Sequence, residues 1–214
     1  MNTAWTLAGK RALITGGTRG IGAATVDEFL ALGAEVAIVS REAHKRDGVF
    51  AIQADVSDAA DRARIAEELG AHWDRLDVLV NNAGMNIRKP WAEISDAERD
   101  IVLNTNALGP MDLTKRLLPL LQKSNPASIV NVASVAGFVD VGSGATYALS
   151  KAAMTEAAAM GLLRRDVPTD ELAILLSGLT DATIFAWARA GCPAGLRAKA
   201  DPLFDFFLHG AKAP

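Results

Sequence analysis

A glycine-rich run, Thr15-Gly16-Gly17-Thr18-Arg19-Gly20-Ile21-Gly22, joins a strand pattern to a helix pattern near the start of the chain. The preceding residues Arg11-Ala12-Leu13-Ile14 are typical of a short buried strand, and residues 21–32 place apolar side chains at helical spacing. A glycine turn at such a junction lets the backbone approach a pyrophosphate and directs the N–H groups of a helix N-terminus toward it. The spacing is Gly-x-x-x-Gly-x-Gly, and since glycine clusters also mark ordinary turns, both interpretations stay open at this point.

Short apolar strand patterns alternate with helical patterns along most of the chain. This alternation predicts right-handed βαβ crossovers and therefore an α/β, Rossmann-like, doubly wound parallel sheet with helices on both faces. Residues 41–50 are too few and too polar for a crossover helix, so they are predicted to form a loop with at most one helical turn. Ser95-Asp96-Ala97-Glu98 is a capping-box signature that predicts the start of a long helix. The predicted strands are 11–15, 35–40, 49–53, 76–81, 128–133 and, with a weaker pattern, 172–176.

Composition limits the classes to which the protein can belong. Its 214 residues, 50% of them hydrophobic, predict one domain over 1–214 with one substantial core. A formal net charge of −3 argues against a nucleic-acid or membrane-surface protein. No transmembrane-length apolar stretch or signal-peptide pattern is found, and a single cysteine, Cys192, fits a reducing compartment, so the cytoplasm is the predicted location. The three histidines lack ligand-like spacing, and no metal site is predicted.

Further motifs follow the glycine run in order. Asn81-Asn82-Ala83-Gly84 follows an apolar strand, Asn106 lies in an Asn-x-x-Gly run, and Ser134 precedes the Tyr147-x-x-x-Lys151 motif by thirteen residues. Each has an ordinary explanation alone, such as a turn-forming serine or a solvated lysine. Together they resemble the classical short-chain dehydrogenase/reductase family over roughly residues 7–160, and the stretch 86–90 looks most similar to its tropinone-reductase-like members.

The resemblance implies an oxidoreductase in which four residues carry the chemistry. Tyr147 is implied as the general acid or base at a carbonyl or alcohol oxygen, and Lys151 as the cation that stabilises its phenolate and holds the nicotinamide ribose. A free phenol has a pKa near ~10, so it needs a nearby cation to work at neutral pH. Ser134 is implied to orient the substrate oxygen. Asn106 is implied to hold, by its backbone or its amide, a water that links Lys151 to solvent.

The choice of cofactor depends on charge after the second strand. An acidic residue there would bind the adenosine ribose and repel a 2′-phosphate. Ser40-Arg41 stands there instead, with Arg19 inside the glycine run, and guanidinium groups suit phosphate. NADP(H) is therefore favoured over NAD(H), the alternative being that Arg41 is a solvated loop residue. Together with the resemblance, which implies the residues after the third and fourth strands and on the tyrosine helix, the predicted cofactor-binding residues are Gly16, Thr18, Arg19, Gly20, Ile21, Gly22, Ser40, Arg41, Asp55, Val56, Asn82, Ala83, Gly84, Tyr147 and Lys151. The resemblance also implies Asn81 beside the ribose.

Substrate contacts are expected from the loops at the C-terminal ends of the strands, which are Met85–Ile94, Val135–Thr146 and the residues after Gly178. The first two loops are mainly apolar. Such a lining suits interconversion of a ketone and a secondary alcohol without identifying either compound. The apolar residues concerned are Ile87, Trp91, Phe138, Val139 and Val141.

The C-terminal segment, residues 161–214, departs from the family pattern. Ser177-Gly178 stands where family members have a Pro-Gly pair, and no final strand is recognisable. Neither Thr180 nor Thr183 can be assigned to the family's threonine near the carboxamide. The alternatives to an active reductase are therefore a catalytically weak or inactive nucleotide-binding relative, and a truncated, poorly folded product.

Family members usually pair through two helices, which correspond here to residues 96–121 and 147–163. The resemblance therefore implies a symmetric interface between copies. We predict a homodimer, with a tetramer as the alternative because the final family strand is not recognised. The apolar contacts are expected from Leu113, Leu117, Leu120, Met154, Ala158 and Leu162.

Overall fold

The computed structural model describes residues 6–138 and 142–159, with side chains as far as Thr155. Five strands in these ranges form one parallel sheet in the order β3-β2-β1-β4-β5. The predicted doubly wound, Rossmann-like sheet is confirmed, and each of its first five predicted strands is found. The strands are β1 Arg11–Thr15, β2 Glu35–Ser40, β3 Val49–Gln53, β4 Val78–Asn81 and β5 Ser128–Asn131. The predicted strand at 172–176, Thr180 and Thr183 lie outside the described residues.

Five α-helices connect or follow these strands in the described ranges. A π-helical turn, Asn104–Leu108, joins the third helix to the fourth without a break in the chain of helical residues. Residues 41–48 contain no helix, as predicted from their length and polarity. The helices are α1 Gly20–Ala31, α2 Ala59–His72, α3 Asp96–Leu103, α4 Gly109–Leu121 and α5 Ala145–Ala159.

Both faces of the sheet are buried, which explains why its strands read as continuous apolar runs. On one face, Leu13 of β1 packs in a cluster with α2 and α4, to which Ile65 and Leu117 belong. On the other face, Ile14 packs in a cluster with Val26 of α1. Alternate residues of β1, β2 and β4 thus enter different clusters. The packing on both faces holds the sheet, and with it the loops at its carboxyl edge, in position.

The start of α3 has the predicted capping box. The Ser95 hydroxyl accepts a hydrogen bond from the Glu98 N–H at 3.2 Å, and the Ser95 N–H donates to Glu98 Oε2 at 3.0 Å. Lys89 also forms an ion pair with Glu98. These contacts fix the point at which the loop after β4 becomes helix.

The structure corrects the prediction of which side chains form a contact between copies. Leu113, Leu117, Leu120 and Met154 are buried within the chain itself, because α4 and α5 turn these side chains toward the core. The large apolar side chains that these helices and the π turn leave exposed are Leu108, Met111, Leu118 and Leu149. Leu162 and the side chain of Ala158 lie outside what the structure describes.

None of the helices between residues 6 and 159 that the structure describes has the length and apolar character needed to cross a membrane.

Candidate functional site

The glycine run forms a tight turn between β1 and α1. Gly16 and Gly20 have φ values of +68° and +56°, which glycine adopts without strain. A Cβ on Gly22 would overlap the carbonyl oxygen of Gly16 and lie 2.5 Å from Asn82 Nδ2. A Cβ on Gly17 would lie 2.6 Å from a methyl group of Ile38. The turn is therefore packed so tightly that no side chain is tolerated at positions 17 or 22.

Hydrogen bonds tie this turn to the end of β4. The Thr15 hydroxyl accepts from the N–H groups of Asn82 and Ala83, both at 3.0 Å. In return, Asn82 Nδ2 donates to the carbonyl groups of Thr15 at 2.9 Å and Gly16 at 3.1 Å. Asn82, which sequence motifs place among the cofactor-binding residues, thus also holds the glycine turn in position.

Asn81 is expected beside the ribose, but its side chain has other partners. Its Nδ2 donates to Asn131 Oδ1 at 2.8 Å and to the Thr114 hydroxyl at 3.3 Å, and the side chain is buried. Successive side chains of a strand point to opposite faces, so Asn81 and Asn82 serve different neighbours. The Asn81 side chain links β4, β5 and α4 and does not line the cleft described next.

A cleft of about 510 Å³ opens at the carboxyl ends of β1, β2, β3 and β4. It lies where the strand order reverses, since β1 has β2 on one side and β4 on the other. Open α/β sheets bind ligands at such a point. Twelve predicted cofactor-binding residues line it: Gly16, Thr18, Arg19, Gly20, Ile21, Ser40, Arg41, Asp55, Val56, Asn82, Ala83 and Gly84. Gly22, Tyr147 and Lys151 are not among its lining residues.

Two arginines lie in the part of the cleft formed by the glycine turn and the end of β2. Neither Arg19 nor Arg41 forms an ion pair with a residue in the described ranges. The loop after β2 is held by hydrogen bonds from Ser40 Oγ to the Glu42 carbonyl at 2.7 Å and from Gln53 Nε2 to the Arg41 carbonyl at 3.2 Å. The guanidinium groups are thus available to a ligand, in a cleft that Glu42 also lines.

Helix α5 carries Tyr147 and Lys151 one turn apart. Tyr147 is half-buried, whereas Lys151 is buried, and its Nζ lies 5.7 Å from the centroid of the tyrosine ring. The ammonium group donates to the Val132 carbonyl at 2.7 Å. Burial lowers the pKa of Lys151. A Cβ on Gly84 would lie 3.7 Å from Lys151 Nζ, so the lysine reaches the β4 end of the cleft.

Asn106 lies in the π-helical turn and is buried. Its Oδ1 accepts from the Met85 N–H at 2.8 Å, while its Nδ2 donates to the Met85 carbonyl at 2.8 Å and to the Ser150 hydroxyl at 3.0 Å. Both amide protons are therefore used within the protein. Pro110, four residues later, has no N–H to donate to the Asn106 carbonyl. The backbone carbonyl of Asn106 is therefore more available to a water than its side-chain amide.

Ser134 begins a short 3₁₀ turn, Val135–Gly137, after β5. Its hydroxyl accepts from the Ala136 N–H at 3.2 Å. A Cβ on Gly137 would lie 2.8 Å from the backbone nitrogen of Ala152, so this turn packs closely against α5 next to Lys151. The fold thus brings the Ser134 turn and the helix of Tyr147 together.

Sequence reasoning missed two hydrogen-bonding residues of this site. Ser150 is fully buried, and its hydroxyl donates to the Tyr147 carbonyl at 2.7 Å while it accepts from Asn106. The second is Thr15, whose hydroxyl accepts hydrogen bonds from the N–H groups of Asn82 and Ala83 after β4. A serine one position before Lys151 is ordinary in a helix, because it readily bonds to the preceding turn. The contact of Ser150 with Asn106, 44 residues away, left no local signal.

Comparisons with known proteins agree with this fold. The short chain dehydrogenase family matches residues 10–174. A tropinone reductase homolog of Arabidopsis thaliana is 39% identical over 165 residues, which are 71% of this chain and 62% of that protein. The chain belongs to the short-chain dehydrogenase/reductase family, a family of oxidoreductases, and the aligned part spans less than two thirds of that curated relative.

Two solved structures have a similar fold and differ in the cofactor that they contain. The RhlG/NADP active-site complex of Pseudomonas aeruginosa has a TM-score of 0.69 at 35% identity, covering 75% of this chain and 68% of that one. A short-chain oxidoreductase from Brucella ovis, in complex with a partially ordered NAD, has a TM-score of 0.64 at 32% identity, covering 69% and 74%.

Proposed function

We propose that this protein is an NADP(H)-dependent oxidoreductase that interconverts a ketone and a secondary alcohol. The observation that carries the proposal is the position of buried Lys151, which lies one helical turn from Tyr147 and reaches Gly84 at the edge of the cleft. This arrangement supports roles for Tyr147 as an acid and for Lys151 as a cation next to a cleft that suits a dinucleotide. The glycine turn supports the same conclusion, since the space that a Cβ at Gly22 would need is already filled by backbone.

Tyr147 is proposed as the proton donor in reduction. Its O–H would give a proton to the carbonyl oxygen, and the resulting phenolate would be stabilised by the Lys151 ammonium. When bound, the nicotinamide cofactor supplies or accepts the hydride. In the oxidative direction, the phenolate would take the proton from the alcohol. Ser134 would orient the substrate oxygen, and Asn106 would connect Lys151 to solvent through a water.

The preference for NADP(H) over NAD(H) is argued from charge. Arg19 and Arg41 place two guanidinium groups in the cleft, which the carboxylates of Glu42 and Asp55 also line. Asp55 follows β3 and already accepts a hydrogen bond from the Ser57 N–H at 2.8 Å, whereas the two arginines lie at the glycine turn and the end of β2. A 2′-phosphate would form charge-assisted hydrogen bonds with them, while the hydroxyl of NAD(H) would gain less. The relative with bound NADP supports this choice, and the relative with bound NAD makes a direct test necessary.

The test of cofactor choice is Arg41→Asp. We expect the unmodified protein to bind NADPH more tightly than NADH, and the Kd for NADPH to rise at least about tenfold in the variant, because a cation is replaced by an anion. Lys123→Asp makes the same change of charge at an exposed lysine outside the lining of the cleft and serves as the control. Calorimetry that finds equal affinity for NADPH and NADH in the unmodified protein would contradict the proposal.

The substrate is proposed to be an apolar ketone or the matching alcohol. Trp91 and Phe138 are exposed at the loops after β4 and β5, where they offer apolar surface to a substrate. These loops are joined by a hydrogen bond from Asn86 Nδ2 to the Ser143 carbonyl at 2.9 Å. Val139 and Val141, also expected here, lie outside the described residues.

The test of the chemistry is Tyr147→Phe. The change keeps the ring and removes the acid, so we expect kcat for ketone reduction to fall by about 10²–10⁴ while the Kd for NADPH changes little. Kinetics with a panel of ketones, together with calorimetry, measure both quantities. Near-normal reduction by the variant would remove Tyr147 from the mechanism. An unmodified protein that binds NADPH and reduces no member of the panel would be the inactive relative considered above.

We also propose a homodimer, with a tetramer as the alternative, and a cytoplasmic location. The single cysteine of the sequence supports a reducing compartment. The exposed apolar side chains on α4 and α5 support association between copies.

A further inference from the structure

A buried arginine outside the cleft contacts the cleft's wall. Arg62 of α2 is 7% exposed, and its Nη1 donates to the Val56 carbonyl at 2.8 Å. Its Nε donates to Asp112 Oδ2 of α4 at 2.7 Å. One guanidinium group thus joins α2, α4 and the segment after β3. Burying a guanidinium is costly unless its hydrogen bonds are well formed, and the removal of a partner from a buried pair is correspondingly disruptive.

Val56 is held from a second direction as well. A Cβ on Gly109, the first residue of α4, would overlap the Val56 carbonyl oxygen. The backbone of α4 and the guanidinium of Arg62 therefore enclose this one oxygen atom. Because the carbonyl cannot turn, the rest of the Val56 peptide and its side chain are fixed where they line the cleft.

The position of Val56 shows which part of a bound dinucleotide it would face. In the proposed function, the end of the cleft at Gly84, which Lys151 approaches, would hold the nicotinamide, and the glycine turn would lie at the middle of the dinucleotide. Asp55 and Val56 follow β3, on the far side of β2 from β1, so they lie at the opposite, adenosine end. Asp55 is itself held there, because its N–H donates to Asp61 Oδ2 at 2.7 Å.

We infer that Arg62 is a positioning residue for the adenosine end of the cofactor, acting through the Val56 carbonyl. The inference rests on the proposed dinucleotide-binding function. Arg62 touches neither the substrate nor the reacting atoms. Its effect is on cofactor affinity, and it should be the same whether or not the adenosine carries a 2′-phosphate, because Arg62 does not line the cleft.

The test compares Arg62→Gln with Arg116→Gln. Arg116 donates to the same Asp112 Oδ2 at 2.9 Å and does not contact Val56, so its loss removes a similar ion pair without affecting the cleft. The probes are adenosine 5′-monophosphate and adenosine 2′,5′-bisphosphate, measured by calorimetry. We expect Arg62→Gln to weaken both about tenfold, as the loss of one charge-assisted hydrogen bond implies, and Arg116→Gln to weaken neither.

Measurement of kcat and KM distinguishes a positioning role of Arg62 from a general loss of native structure in the variant. At saturating NADPH, Arg62→Gln should keep its kcat while its KM for NADPH rises. Equal nucleotide affinity in Arg62→Gln and the unmodified protein, or a kcat that falls as much as affinity does, would overturn the inference. An unmodified protein that binds neither nucleotide would instead overturn the proposed cofactor site. Arg41→Asp distinguishes the role of Arg41 from that of Arg62, because it should weaken the binding of adenosine 2′,5′-bisphosphate only.

Arg62→Lys is the second variant, for use if Arg62→Gln fails to unfold cooperatively. An ammonium group keeps the charge beside Asp112, but its donors share one nitrogen, which cannot reach both acceptors as Nε and Nη1 of Arg62 do. We expect an intermediate loss, about threefold, for both nucleotides, because one of the two hydrogen bonds survives. Unchanged affinity for both nucleotides in this variant would overturn the inference.

Discussion

At the scale of single residues, neighbours rather than residue type decide what a change does. Gly22 in α1 and Gly70 in α2 are both helical glycines, yet a Cβ on the first would overlap the Gly16 carbonyl, while a Cβ on the second meets nothing within 4 Å. The first glycine is required by the close approach of the turn. The second has no such requirement and weakens its helix through backbone entropy.

The matched changes Gly22→Ala and Gly70→Ala should therefore have different effects. We expect Gly22→Ala to displace the glycine turn and Asn82, and to reduce NADPH affinity by at least about tenfold. Gly70→Ala should leave that affinity unchanged and raise the free energy of unfolding by about 0.5–1 kcal/mol. Calorimetry and chemical denaturation measure the two quantities. A Gly22→Ala protein with unchanged NADPH affinity would show that the turn does not contact the cofactor.

At the scale of elements, local hydrogen bonds determine where helices begin and change character. The capping box of Ser95 and Glu98 starts α3, and the ion pair with Lys89 adds to it. The Lys89 ammonium, with the backbone N–H of Ser95, lowers the pKa of Glu98 to about 2. Further along, the π-helical turn lets Asn106 reach Met85. Such turns are often found at functional sites.

Through Glu98, the stability of the start of α3 is expected to depend on pH. Its folded pKa of about 2 lies below the ordinary value of 4.5, so its contribution to stability is complete above 4.5 and is lost as the pH falls toward 2. We expect Glu98→Ala to lower the thermal midpoint at pH 7, and the difference from the unmodified protein to shrink as the pH falls across that range. Glu93→Ala, at an exposed carboxylate of the preceding turn, is the control. A difference that is constant with pH would contradict the assignment.

At the scale of the whole molecule, the sheet determines which side of each helix is free for another copy. In the described part of the chain, Leu113 and Leu117 of α4 lie in the core, whereas Met111 of the same helix is 51% exposed and Leu149 of α5 is 57% exposed. Exposed apolar side chains of this size often mark sites of association. The proposed dimer therefore depends on other side chains of these helices than the sequence suggested.

The double variant Met111→Asp and Leu149→Asp tests the dimer. Charges buried at a symmetric interface are costly because each appears twice, so we expect a monomer by light scattering at micromolar concentration. Ala71→Asp, at an exposed position of α2, should leave the assembly unchanged. An unmodified protein that is already a monomer would contradict the proposal, and a stable tetramer would favour the alternative.

Much of the fold was predictable because its signals are local. The strands β1, β2 and β3 have the predicted bounds, since an apolar run ended by glycine or polar residues is complete within a few positions. The start of α3 followed from the four residues of its capping box. The lining of the cleft was also largely predictable, because the family motifs occur in the sequence. These motifs meet in the structure because the carboxyl ends of neighbouring parallel strands lie at one edge of the sheet.

The tertiary structure alone decided the contacts between residues far apart in sequence. Arg62 meets Asp112 across 50 positions, Asn106 meets Ser150 across 44, and Asn81 turns away from the cleft toward Asn131. It also decided which side of α4 is buried, because that helix carries leucines on more than one face. Periodicity shows that a helix has an apolar face, but the position of the sheet determines which apolar side chains are buried.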